Sequence, residues 1–140
     1  MIAEHNTILC ETQGDDHIID LTANVQAMVA ESGVDTGQAA LLVHGSTAAL
    51  TTLEYEPGLV NHDIRTAMER LAPRDAHYEH EETWQDDNGH SHGRASTVGP
   101  SLALPILDGC IPLGTWQQIV LIDFDTRPRR RTVHVSVIGK

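Results

Sequence analysis

Lysine is almost missing from this 140-residue chain, the terminal Lys140 being the only one. Nine Lys and Arg face 20 Asp and Glu, for a formal net charge of −11. Such a surface repels phosphate backbones and anionic headgroups, which argues against nucleic acid and membrane as partners. Many acids and hardly any lysine also fit a salt-rich cytoplasm, where repulsion between carboxylates is screened; loss of structure in low salt is the expected consequence. Long apolar runs are missing too: no stretch approaches the ~20 residues that span a bilayer. The opening "MIAEHNTILCETQ" has no basic patch followed by an apolar stretch, so no signal peptide is read there. Cysteine is scarce, and Cys10 and Cys110 lie too far apart to suggest a disulfide framework. A reduced, cytoplasmic protein is the expectation.

What remains suffices for one folded domain, with 40% hydrophobic residues and enough length for a core. Residues 6–13 read as a strand with Ile8 and Cys10 on one face, and 17–22 as a second extended piece. Asp20 or Thr22 then caps a helix over 23–32, with Val25, Met28 and Val29 as its buried stripe and Gly33 as its end. The apolar run 39–45 is a strand, and 47–56 reads as its partner. Pro57-Gly58 makes a turn. Val60, Ile64, Met68 and Leu71 recur at helical spacing until Pro73. Residues 73–91 are polar and aperiodic, a loop too long to be an idle connection. A short helix over 93–99 and strands over 101–106, 114–125 and 131–139 follow. Val133, Val135 and Val137 share one face of the last. Two main helices, many strands and no βαβ rhythm predict a single α+β domain with a mostly antiparallel sheet.

The stretch "WQDDNGHSHGRAS" is the least easily explained as packing. In a strand His90 and His92 would share a face and meet one ion; in a helix they would diverge. The Asn88-Gly89 turn favours the extended form, and His80 would add a third nitrogen, leaving an open position as catalytic zinc sites do. Solvated loop histidines are the commoner outcome of such spacing. In "HGSTAAL", Ser46 and Thr47 follow a glycine turn and would cradle a phosphate, or simply pack a tight turn. Glu54 and Asp63 bracket the start of the second helix, where Asp63 would complement the helix dipole. "RPRRR", Arg127 to Arg131, would guard a sheet edge or grip phosphate or carboxylate. Trp116 and Gln117 stand in a strand that is otherwise core, so one amide of the Gln117-Gln118 pair must point inward and find partners. Cys110, with no histidine near it in sequence, reads as a small apolar residue.

Taken together, "GSTAALTTLEYEPGLVNHD", "NGHSHGRASTVGPSLALPI", "GTWQQIVLIDFD" and "RPRRRTVHVSVIG" resemble the YjbQ-like family from about residue 5 onward. Members of that family are commonly described as secondary thiamine-phosphate synthases. The resemblance implies a small α+β fold, a homotrimer, and polar clefts near the subunit contacts. It implies a site of Ser46, Thr47, Glu54, Asp63, His80, Asn88, His92, Trp116, Gln117 and Arg129, with His90 in a subset that reads Asn-Gly-His-Ser-His. Two departures stand out. Gly45 occupies a place where many members carry histidine, and His44 lies one residue off, on the other face of a strand. Tyr55 replaces a frequent asparagine.

Two functions follow as expectations. The first joins a pyrimidine pyrophosphate to a thiazole phosphate, releasing pyrophosphate. Glu54 and Asp63 would hold Mg²⁺, Arg129 and the Ser46-Thr47 turn would grip phosphate, and His90 and His92 would act as acid and base. The second is a trimer binding Zn²⁺ through His80, His90 and His92, with a small anion at the open position. A structural trimer with a vestigial cleft is the third, blander reading.

Overall fold

Period-two burial organises the strands of the computed structural model, which describes residues 1–140. On β1 (Ile2–Thr12) Ile8, Cys10 and Thr12 turn inward, and on β7 (Arg129–Gly139) Val133, Val135 and Val137 do the same. The two pair antiparallel along their whole length, Ile2 opposite Gly139 and Thr12 opposite Arg129. β3 (Gly37–Val43) joins the other side of β7, and β5 (Ser101–Ile106) closes a four-stranded sheet of order β1-β7-β3-β5. A second antiparallel sheet has the order β2 (His17–Asp20), β6 (Gln117–Asp123), β4 (Ala48–Glu54). The α+β class and the antiparallel pairing are as expected, in two sheets where one was foreseen.

The expected pairing of 39–45 with 47–56 does not occur. Gly45, at φ +117, turns the chain out of the first sheet, and β4 pairs with β6 in the second. The separation buries Ala48, Ala49 and Leu50 completely, because alternate faces of β4 meet two different cores. Ala48, Leu50, Ile119 and Leu121 face Leu41, Val43, Val133 and Val135 of the first sheet, with Val25 and Val29 of α1 (Thr22–Ser32) beside them. Ala49, Val120, Ile122 and Phe124 face the other way, under Val60, Ile64, Met68 and Ala95. The layers therefore run sheet, sheet, helices, and the outer face of the first sheet is left bare.

Helix boundaries follow local chemistry. The Asp20 carboxylate accepts from the Thr22 N–H at 2.9 Å at the start of α1, and Gly33 at φ +72 ends it. Pro57-Gly58, expected to be a turn, instead begins a helix. Proline is tolerated there because a first-turn N–H has no partner in any case. The Glu56 carboxylate accepts from the N–H groups of Gly58 (2.6 Å) and Leu59 (2.9 Å). A π-helical turn, Leu59–Asp63, runs straight into α2 (Ile64–Leu71). Asp63 is thus a mid-helix residue, not a first-turn one.

The stretch 73–91 is not one loop. It contains α3 (Glu79–Trp84), whose first turn carries Glu79, Glu81 and Glu82, and it ends in α4 (Gly89–Val98). Carboxylates suit a helix start, and Glu81 also accepts from the Gly89 N–H at 2.6 Å, fastening the two helices together. Polar composition hid both helices, since α3 packs on α4 and buries no residue, while α4 lies against β4 through small and polar side chains. β7 lies between β1 and β3, so the arginine run guards no edge.

Candidate functional site

Because His90 and His92 stand in a helix, about 200° separates their side chains. The extended reading of His-x-His is thereby overturned. His90 is buried, 2% exposed, with Tyr78 beside it at 6.3 Å between ring centroids. His92 is half-buried on the other flank of α4, its ring 4.5 Å from that of His80. The buried Asn88, with its amide nitrogen turned to face acceptors, donates to His80 Nε2 at 3.0 Å and to Asp86 at 2.9 Å. In the opposite orientation its oxygen would confront only other acceptors. His80, Asn88, Asp86 and His92 thus form one partly open cluster.

A zinc site of His80, His90 and His92 does not fit this geometry. The helix turns His90 away, His80 Nε2 is engaged by Asn88, and no three His, Cys, Asp or Glu side chains of the chain converge on a point where a metal ion would be held. The two carboxylates expected to hold Mg²⁺ both stand at the surface. Glu54 is exposed at the far end of β4, whereas Asp63 is exposed on the helix and 2.8 Å from His62 Nδ1. Burial, with Arg94 and Arg74 adding to it against Asp16 and Glu69, pushes the His90 pKa below its ordinary value.

The arginines expected to grip phosphate are occupied. Asp123, fully buried, accepts from Thr12 Oγ1 (2.6 Å), Arg131 Nε (2.7 Å) and Arg131 Nη2 (2.9 Å). Thr47, also buried, donates to Asp125 at 2.9 Å and accepts from Arg131 at 2.6 Å, so its hydroxyl is not free for an anion. Ser46, beside it, is exposed. Arg129 Nε donates to Asp125 at 2.9 Å. Burial alone would raise the Asp125 pKa, yet the bonds from Thr47, the Thr126 amide and Arg129 outweigh it and hold the carboxyl below its ordinary range. A Cβ on Gly45 would stand 2.6 Å from Arg131 Nη1. His44 does not replace the family's missing histidine: its ring turns to His134, 6.1 Å away, on β7 of the first sheet.

One residue of weight was missed from sequence. Arg94, 1% exposed, donates to both oxygens of the buried Asp16 (3.0 and 2.9 Å), to Glu69 (2.7 Å) and to the Ala72 carbonyl (3.0 Å). Its i, i+4 spacing from His90 would have marked the inward face of α4, had 89–98 been read as a helix.

Trp116 and Gln117 also depart from expectation. Both are exposed, Trp116 at 72%, because β6 starts only at Gln117. Gln117 donates to Thr52 Oγ1 at 2.9 Å and accepts from the Gly114 N–H at 3.1 Å, so no buried amide arises. Register places Glu54 opposite Gln117 and Ala48 opposite Asp123. Six residues of strand, roughly 20 Å, therefore divide the candidates. Glu54, Trp116 and Gln117 lie at one end. Ser46, Thr47 and Arg129 lie at the other, where His90 and Thr126 line a common cavity. Cys110 is exposed, its Sγ 3.4 Å from the Leu107 carbonyl.

Residues 6–140 match the family described as "UPF0047 protein YjbQ-like". A UPF0047 protein of Methanothermobacter thermautotrophicus is 37% identical over 88% of this chain and 83% of its own length. YugU of Bacillus subtilis, another UPF0047 protein, is 32% identical over 95% and 98%. Among solved structures, a YbjQ-like protein of unknown function from Sulfolobus solfataricus superposes with a TM-score of 0.91 at 30% identity, covering 99% of this chain and 98% of that one. A YjbQ/UPF0047 protein from Clostridium acetobutylicum gives 0.85 at 36% identity, covering 95% and 99%.

Proposed function

Since the chain belongs to the UPF0047 YjbQ-like family, we propose that it is a thiamine-phosphate synthase-type transferase whose site is completed between copies of a homotrimer. The observation that carries this reading is the division of the family-pattern side chains. Glu54, Trp116 and Gln117 stand exposed at one end of the second sheet, while the His80–Asn88–His92 cluster belongs to another part of the same chain. A neighbouring copy that brings one group against the other gives a single substrate both. The outer face of the first sheet supports assembly: Leu9, Leu42 and Ile138 are exposed on it. Alternation puts one acid there, Glu11, already paired with Arg130 at 3.2 Å. In so acidic a chain, a nearly uncharged sheet face is suited to a like partner.

In the reaction, a bond forms from the thiazole to the pyrimidine-bearing carbon, and pyrophosphate leaves with the bonding pair. His92, half-buried beside His80, would give a proton to the departing oxygen. The exposed indole of Trp116 offers a flat apolar face to a heterocycle. Gln117 and Glu54, cross-strand neighbours, supply a donor and an acceptor beside it.

The test is formation of thiamine phosphate from the two phosphorylated precursors with Mg²⁺ supplied. His92→Ala and Glu54→Gln are each expected to lose about 100-fold or more, and mixing and reassembling the two variants should restore part of the activity. Absence of product with the unaltered protein sinks the synthase reading. Full loss that mixing never restores sinks the shared site. About one zinc per chain, lost in His92→Ala, would put a metal-binding trimer in its place.

A further inference from the structure

His80 Nε2 has two polar neighbours, the Asn88 amide at 3.0 Å and Asp86 Oδ1 at 3.3 Å. They make opposite demands on it. The Asp86 carboxylate can only accept, so it calls for a proton on Nε2, whereas a donating amide calls for a lone pair there. The orientation of Asn88 decides between them. Were its oxygen turned toward an Nε2–H, that oxygen would also stand 2.9 and 3.2 Å from the two Asp86 carboxylate oxygens, on a residue only 5% exposed. An acceptor pressed against acceptors away from water is costly. With the amide nitrogen in that place, its two N–H groups reach Asp86 and His80 Nε2, and every partner is satisfied.

We propose that Asp86 and Asn88 are positioning residues that fix His80 in the tautomer with its proton on Nδ1, and that this Nδ1–H is a donor to an anionic oxygen of the ligand. The contacts of His80 within the chain fall on Nε2, and its side chain is 29% exposed, so Nδ1 is left for solvent or ligand. His92, its ring 4.5 Å away, stands beside it as a second imidazole.

The chain is shaped for this contact. Asp86 lies in the link from α3 to α4, between two left-handed residues, Gln85 at φ +57 and Asp87 at φ +59. That reversal brings its carboxylate onto the amide of Asn88, two residues on, opposite the first turn of α3 where His80 stands. The inference rests on the transferase reading only for the ligand, whose phosphates supply the oxygen. The tautomer belongs to the protein alone.

The test is long-range 1H–15N NMR of the histidine rings in the whole labelled protein, in mildly alkaline buffer. The His80 signals are identified by their loss in His80→Gln. Nδ1 is expected to carry the proton and Nε2 to be bare, the reverse of what a free imidazole side chain prefers. Asn88→Asp puts an acceptor of the same shape where the donor was, and should move a proton onto Nε2. Asp86→Asn, at a position 37% exposed, keeps the test if Asn88→Asp folds poorly; it should free the Asn88 amide and give both tautomers. Inorganic pyrophosphate should shift the Nδ1 resonance of His80. An Nε2–H tautomer in the unaltered protein, an unchanged tautomer in Asp86→Asn, or an Nδ1 resonance that pyrophosphate leaves unmoved would each overturn the proposal. The expected spectra without formation of thiamine phosphate would uphold it and sink the synthase reading alone.

Discussion

Two polar regions of this protein look alike in sequence and behave oppositely in the fold. The arginine run with its aspartates forms a closed network. Asp123, Asp125, Thr47, Thr12, Arg131 and Arg129 hold one another. The α3–α4 region is open by contrast. His80 and His92 are half-buried and face solvent, and His90 lines a cavity with little to bind. Charged side chains whose valences are spent on one another build the fold. Those whose valences remain free are available to a ligand.

The sharpest way to break that comparison is to remove one member of the closed network. Asp123→Ala removes the two short bonds from Arg131 to Asp123, leaving the buried guanidinium only Thr47 and, at 3.8 Å, Asp125, and a loss of about 3 kcal/mol is expected, read by denaturant unfolding. A loss below about 1 kcal/mol would show that water replaces the carboxylate and that the network is not closed. His92→Ala, in the open region, should change stability by less than about 0.5 kcal/mol, while the proposed transfer falls about 100-fold or more.

Gly45→Ala comes next in size. It adds a methyl group against Arg131 at a backbone φ of +117, and about 1–3 kcal/mol is the expected cost. The same loss in an Arg131→Met background would remove the clash as the cause and leave backbone strain alone.

The smallest effect is on pH dependence. His90 has its pKa held below the ordinary 6.5, first by burial and then by Arg94 and Arg74. Between its folded value and 6.5 the unfolded chain binds more protons, so stability rises with pH across that window. The contribution is fully present above about pH 6.5 and is lost as pH falls through the folded value. His90→Phe should flatten this part of the stability curve. An unchanged slope would assign it to another group, with Asp125 excluded because its lowered pKa acts in the acid range.

Much of the architecture was legible beforehand. The alternation of Val133, Val135 and Val137, the helical recurrence of Ile64 and Met68, and the stops at Gly33 and Pro73 are local physics, and all are seen. The candidate site was legible as a set of residues but not as an arrangement. His90 and His92 were paired on the premise of extended backbone, and one helical turn undid that. Thr47 and Arg129 were matched to phosphate by residue type, but their partners are carboxylates from β6 and the turn after it, about 80 residues from Thr47 in sequence. Arg94 gave only its i, i+4 spacing from His90, which signals an inward face within a helix alone, and its partners Asp16 and Glu69 come from distant segments.

By itself the sequence determined the acidic surface, the α+β class, most of the element positions and the family. These depend on composition, short-range periodicity and contiguous motifs. Tertiary structure alone decided which strands share a sheet, which arginines are spent on buried aspartates, and which histidines face one another. Those outcomes rest on pairings between residues far apart in the chain. A side chain's chemistry is set there by what the fold brings within about 3 Å of it.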